Sequence, residues 1–218
     1  MIAIVDYGLG NLFSVKHALN AVGAQAEVTS SCDDVMKADA VVLPGVGAFG
    51  DAMDSLKKMG LTGALKDFVS TGRPVIGICL GMQLLMSESF EFGRHEGLGF
   101  ISGKVVRFED PKDGDDILKV PEVGWNRIKV LEGRGEKVYE GVKDGSYMYF
   151  VHSYYVVPED AAVAMTVSRY GNMEFCSSVR NGNIIAFQFH PERSGKDGLA
   201  IYRNLMTIIY EKTKGKQG

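Results

Sequence analysis

The chain has 218 residues, 45% of them hydrophobic and 23% charged, with a formal net charge of −3. That is enough chain to bury a core, and the near-balanced charge argues against a nucleic-acid surface or a polybasic membrane anchor. No apolar run approaches the roughly 20 residues of a membrane span, and the three cysteines (Cys32, Cys79, Cys176) are scattered, odd in number and without CxxC spacing, so neither a disulfide framework nor a zinc site is indicated and a reducing cytosol fits best.

In chain order, Ile2–Val5 reads as a strand that starts almost at the N-terminus, with no basic region of a signal peptide before it. Residues 11–22 carry Leu12, Val15, Leu19 and Val22 at helical spacing, with Gly23 as a stop. Segments 24–29 and 40–43 read as strands, 52–59 and 62–69 as helices, 74–78 as a buried strand and 80–87 as a helix. Strands alternating with helices predict a mostly parallel sheet covered on both faces. Beyond about residue 98 the runs 147–157, 162–169, 174–180 and 183–190 are β-rich, and Asn181-Gly182 is a strong hairpin signal. Residues 198–211 form a last amphipathic helix, followed by a polar tail, 213–218, that is expected to fray. Segments 109–119 and 132–137 read as exposed loops. With neither repeats nor a linker, the expectation is one α/β domain over 1–218 with an antiparallel extension.

Gly45-Val46-Gly47-Ala48-Phe49-Gly50 follows the strand 40–43 and precedes a helix. The spacing is the G-x-G-x-x-G of a dinucleotide loop, which also needs an acid about 20 residues on at the end of the next strand. The next strand ends at Cys79, and Asp67, the acid at that distance, lies in a helical segment. The loop's glycines are therefore free to serve another negatively charged group.

Gly77-Ile78-Cys79-Leu80-Gly81 is more specific. A buried strand turns at once into a helix around a cysteine, the thiol counterpart of the G-x-S-x-G nucleophile elbow. Glycine flanks such a turn because side chains there would collide. Helix N–H groups facing the sulfur favour thiolate and can stabilise an oxyanion. Taken alone, the motif is as readily a buried structural cysteine. A base shifts the balance. Of the four histidines, His17 lies in the first helix, His95 in a Gly-rich loop and His152 after an aromatic strand. His190 ends a strand and is followed by Pro191-Glu192. In extended chain, residues i and i+2 share a face roughly 7 Å apart, so Glu192 is placed to orient His190 toward Cys79.

These segments, with Asp6–Leu12, Leu43–Gly50, Gly77–Leu85, Gly124-Trp125-Asn126, Tyr149–Tyr154 and Gln188–Ser194, resemble the class I (triad-type) glutamine amidotransferases nearly end to end. More closely, the chain resembles the family of glutaminase subunits of imidazole glycerol phosphate synthase. The resemblance implies a flavodoxin-like sheet, with Cys79, His190 and Glu192 as the catalytic triad. It places an oxyanion hole at the backbone of Val46, Gly47 and Leu80, and a glutamine site at Gly47, Gln83, Ser153 and Tyr154. It implies no cofactor and no metal. The implied partner is a (β/α)₈-barrel cyclase that takes up the ammonia for histidine biosynthesis in the cytoplasm, met by Trp125, Asn126, His152 and Arg193. Glu122 stands where that family often has histidine, which raises the alternative of a paralogue feeding ammonia to a different synthase. A nucleotide-binding module, a cysteine peptidase and an inactive homologue are further alternatives.

Overall fold

A computed structural model describes residues 1–214. The strands are β1 Ile2–Val5, β2 Ala26–Thr29, β3 Ala40–Gly45, β4 Val75–Cys79, β5 Met86–Ser89, β6 His95–Glu96, β7 Ile101–Arg107, β8 Lys112–Asp113, β9 Asp116–Ile117, β10 Glu122–Arg127, β11 Lys129–Val130, β12 Tyr147–His152, β13 Tyr154–Pro158, β14 Ala164–Tyr170, β15 Met173–Asn181 and β16 Ile184–Phe187. The helices are α1 Leu12–Ala21, α2 Cys32–Lys37, α3 Phe49–Lys58, α4 Leu61–Ser70, α5 Leu80–Leu84 and α6 Gly195–Lys214.

The main sheet runs β2-β1-β3-β4-β16-β15-β13-β7-β5-β6, with β14 paired to β15 and β11 to β14. From β2 to β16 every neighbour is parallel. From β16 outward β15, β13 and β7 pair antiparallel, as the hairpin at Asn181-Gly182 predicts. β10 and β12 form a separate antiparallel ribbon.

Of the parallel strands, β1, β3, β4 and β16 are buried on both faces, which is why they read as apolar runs, while the edge strand β2 is partly exposed. Ile2 and Ile4 of β1 and Ile76 and Ile78 of β4 join one core with Val15 and Leu19 of α1 and Leu205 of α6. Ala3, Val5 and Val75 point the other way and pack with Val35 of α2, Leu56 of α3 and Phe68 of α4. Three parallel strands, β3, β4 and β16, thus aim their carboxyl ends at one edge, where open α/β sheets bind ligands.

The expected helix over 80–87 stops at Leu84, and Met86–Ser89 is a strand. Its pairing with β7, Met86 opposite Ile101, outweighs another helical turn. The short α2 and the strands β7 and β10 add to the expected elements. Segment 109–119, read as loop, contains the small β8–β9 hairpin. The tail's first two residues, 213–214, continue α6, and its remaining residues lie outside the described ones. Among the described residues, no helix is long and apolar enough to cross a membrane.

Candidate active site

Cys79 closes β4 at φ 54° and ψ −112°, one of three non-glycine residues with positive φ among those described. Such a backbone is strained by about 1–3 kcal/mol, and it persists here because the strand on one side and α5 on the other fix it. Gly81 is obligatory: a Cβ would overlap the Leu43 carbonyl of the neighbouring strand. Gly81→Ala should lower folding stability by about 3 kcal/mol, read as a reduced urea midpoint at unchanged slope; a shift under 0.5 kcal/mol would mean the elbow can relax. Because α5 has only five residues, the expected helix-dipole effect reduces to the free N–H groups of a single turn.

Cys79 is nearly buried, 5% exposed, and its sulfur lies 3.8 Å from the Val151 carbonyl oxygen and 3.7 Å from Gln188 Nε2. It borders a cavity of about 250 Å³, below the roughly 300–1,000 Å³ typical of drug-sized ligands. Val46, Gly47, Leu80, Gln83, Ser153 and Tyr154, the expected oxyanion and glutamine contacts, all line it, as do Glu91, Pro121, Val151 and His152. Gly47 holds φ 106°, a conformation only glycine adopts easily. Gln83 is 5% exposed, and its amide nitrogen donates to the Tyr154 carbonyl at 2.9 Å and Gln188 Oε1 at 3.2 Å. Only its carbonyl oxygen is left for a ligand.

His190 and Glu192 stand outside the lining and approach differently from the extended geometry expected. β16 ends at Phe187, and Pro191–Arg193 is a single 3₁₀ turn. Proline's fixed φ starts that turn, which folds Glu192 back so that its Oε1 meets His190 Nδ1 at 2.7 Å. Both side chains are at most 4% exposed. The His190 N–H donates to the Tyr149 carbonyl at 2.9 Å, and Ser194 Oγ donates to the His190 carbonyl at 2.6 Å. His190 Nε2 makes no aligned hydrogen bond, yet Cys79 is close enough to act on the ring. Burial pulls the imidazole pKa down; the Cys79 side chain and then Glu192 more than offset this and raise it to about 10. Cys176 contrasts: burial pushes its thiol up to about 12, which leaves it an unreactive packing residue.

Of the residues expected to meet a partner, Trp125 is 56% exposed and Arg193 is exposed. They flank Tyr149: its ring centroid is 6.1 Å from the Trp125 ring and 4.7 Å from the Arg193 guanidinium carbon. Asn126 is half-buried and donates to Glu122 Oε1 and the Arg169 carbonyl. His152 departs from the expectation. Its side chain is 2% exposed and packs among Phe108, Phe150 and Phe175, so it faces inward to the cavity rather than outward.

Two residues at the site escaped sequence reading. Gln188 reaches the sulfur from the strand that leads to His190. Glu91, half-buried in the cavity wall, accepts from the Phe49 N–H at 2.6 Å, and burial raises its pKa. Glu91 thereby occupies the N-terminus of α3, where the pyrophosphate of a dinucleotide would sit. The glycine loop serves the Cys79 cavity.

Residues 3–208 match the family described as glutamine amidotransferase class-I, which defines the class of the fold and its cysteine elbow. Two solved structures share the fold: PurLQS from Thermotoga maritima, at TM-score 0.72 and 18% identity over 95% of this chain and 98% of that one, and the acivicin-bound glutaminase domain of Trypanosoma brucei CTPS, at 0.66 and 18% over 96% and 93%. Imidazole glycerol phosphate synthase subunit HisH of Syntrophotalea carbinolica is 49% identical, over 94% of this chain and 98% of the relative. HisH of Rhodopirellula baltica is 45% identical, over 97% and 99%. The chain belongs to the class I glutamine amidotransferases, in the family of imidazole glycerol phosphate synthase subunit HisH.

Proposed function

We propose that the chain, acting as one domain, hydrolyses L-glutamine through Cys79. The thiolate attacks the side-chain amide carbon, and the resulting oxyanion is held by the backbone N–H groups of Leu80 and of Val46 or Gly47. His190 gives its proton to the departing nitrogen, which leaves as ammonia, and a γ-glutamyl thioester remains. Water, deprotonated by His190, then cleaves the thioester to glutamate and restores the thiol–imidazole pair. Glu192 fixes the ring. The observation that carries this reading is the buried His190–Glu192 pair at 2.7 Å beside a strained cysteine that borders an amino-acid-sized cavity.

Glutamine carries an α-ammonium group, and Glu91 is the acidic side chain in the cavity wall. Glu91→Gln should therefore raise KM for glutamine about 10-fold or more while kcat changes little. An unchanged KM would remove Glu91 from substrate recognition.

The ammonia is passed on to a cyclase subunit in the cytoplasm, for imidazole glycerol phosphate formation in histidine biosynthesis. Trp125, Asn126 and Arg193 supply the docking face. A different acceptor synthase, suggested by Glu122, gains no support: Glu122 is 4% exposed and leaves the outer surface of its segment to Val123 and Trp125. The test is glutamate release by the isolated chain and by the chain with cyclase and its nucleotide. Turnover should be weak alone and rise roughly 100-fold in the loaded complex. High turnover independent of the cyclase would overturn the assignment to a regulated subunit.

A further inference from the structure

Glu122 and His152 are both buried, with side chains 5% and 2% exposed, and their Oε2 and Nε2 atoms lie 3.3 Å apart. Neither atom makes an aligned hydrogen bond. The other ring nitrogen, Nδ1, is 2.9 Å from the Tyr154 carbonyl oxygen. A carbonyl only accepts, so Nδ1 carries a proton. In a neutral ring Nε2 would then present a lone pair to a carboxylate oxygen, two acceptors facing each other in a buried place. A proton between them removes the conflict. Asn126 Nδ2 already donates to Glu122 Oε1 at 2.6 Å, which favours the carboxylate form and leaves the proton on His152.

The Tyr154 carbonyl is shared. It also accepts from Gln83 Nε2 at 2.9 Å. That fixes which end of the Gln83 amide is nitrogen, so the same group donates to Gln188 Oε1 at 3.2 Å. Gln188 must then turn its own nitrogen to the Cys79 sulfur, 3.7 Å away. The Tyr154 carbonyl, held on one side by the His152 ring, therefore sets the direction of each donor from Gln83 to the nucleophile.

We propose that Glu122 is a positioning residue: by holding a proton on His152 Nε2 it locks the Tyr154 carbonyl and, through Gln83 and Gln188, the wall of the glutamine cavity. This rests on the glutaminase reading above. The test uses the full chain with ¹⁵N-labelled histidine, His152 being identified by the signal lost in His152→Asn. Both ring nitrogens of His152 should carry protons in the wild type, and Nε2 should lose its proton in Glu122→Gln, where the introduced amide becomes the donor. Glu122→Gln should also raise KM for glutamine about 10-fold, with kcat changed less than threefold. A wild-type His152 whose Nε2 lacks a proton overturns the proposal whether or not the variant folds. So does an unchanged KM in an enzyme that still depends on Cys79. Hydrolysis that survives Cys79→Ala would instead overturn the chemistry and leave the His152 spectrum as expected.

Discussion

Replacing Cys79 by alanine is expected to lower glutamine hydrolysis by a factor on the order of 10⁵–10⁶, to the level left by binding and backbone donors alone. Glutamate release in the presence of the partner measures it, and activity within tenfold of wild type would dismiss Cys79 as the nucleophile. The same position allows a second reading of the same physics. At φ 54° a Cβ is a steric burden whatever lies beyond it. Cys79→Gly should therefore be more stable than Cys79→Ala by about 1 kcal/mol, although glycine loses more entropy on folding. If glycine is the less stable of the two, the elbow is not a seat of strain. If it is the more stable, the chain folds around its nucleophile at the expense of stability, as functional sites commonly do.

Glu192→Gln is expected to lower kcat by about 10³–10⁴-fold with little change in KM, because an amide can hold the wrong tautomer of His190 and no longer compensates a charged ring. The pH dependence follows with a definite sign. In the wild type, burial lowers the imidazole pKa and Cys79 and Glu192 together carry it up to about 10. His190 is then protonated over the neutral range and can supply the proton to the departing nitrogen. Removing the Glu192 charge lowers that pKa, so the acid form is lost at lower pH. The alkaline limb of kcat/KM for the free enzyme should move toward neutrality. Cys79→Ala should lower the His190 pKa as well, visible by NMR titration even though that variant is inactive. A His190 that titrates at the same pH in all three proteins would show that neither neighbour acts on it.

The parts of the site that could be read in the sequence are those whose geometry is local. Gly77-Ile78-Cys79-Leu80-Gly81 encodes its elbow because the Gly81 position excludes a Cβ, and His190-Pro191-Glu192 encodes its contact because three residues suffice to close it. Even there the form differed: a 3₁₀ turn, not an extended pair, brings Glu192 to the ring. Glu91 and Gln188 were not legible, since each reaches the cavity through pairings distant in sequence, β5 with β7 and β16 with β4 and β15. β10 was missed for a different reason. Its polar Glu122 faces inward while Val123 and Trp125 are exposed, so the alternation that marks a half-buried strand is inverted. His152 follows from the same inversion: it is the inward partner directly opposite Glu122 in the β10–β12 register.

That ribbon has one more consequence. β12 carries the Val151 carbonyl beside the sulfur, the wall residue His152 and the Tyr149 carbonyl that receives the His190 N–H, and among the described residues its one sheet partner is β10. β12 thus has one sheet ladder, with Tyr149 alone tied on its other side through its N–H to Ser194 Oγ and its carbonyl to the His190 N–H, whereas β4 is held along its length from both sides by β3 and β16. Opening β12 requires separating one ladder and the two Tyr149 bonds, so its amides other than that of Tyr149 should exchange with solvent deuterium before those of β4. The nucleophile thus sits on a strand paired from both sides, opposite a wall with one ladder, and exchange along β12 is expected to slow when the site is filled.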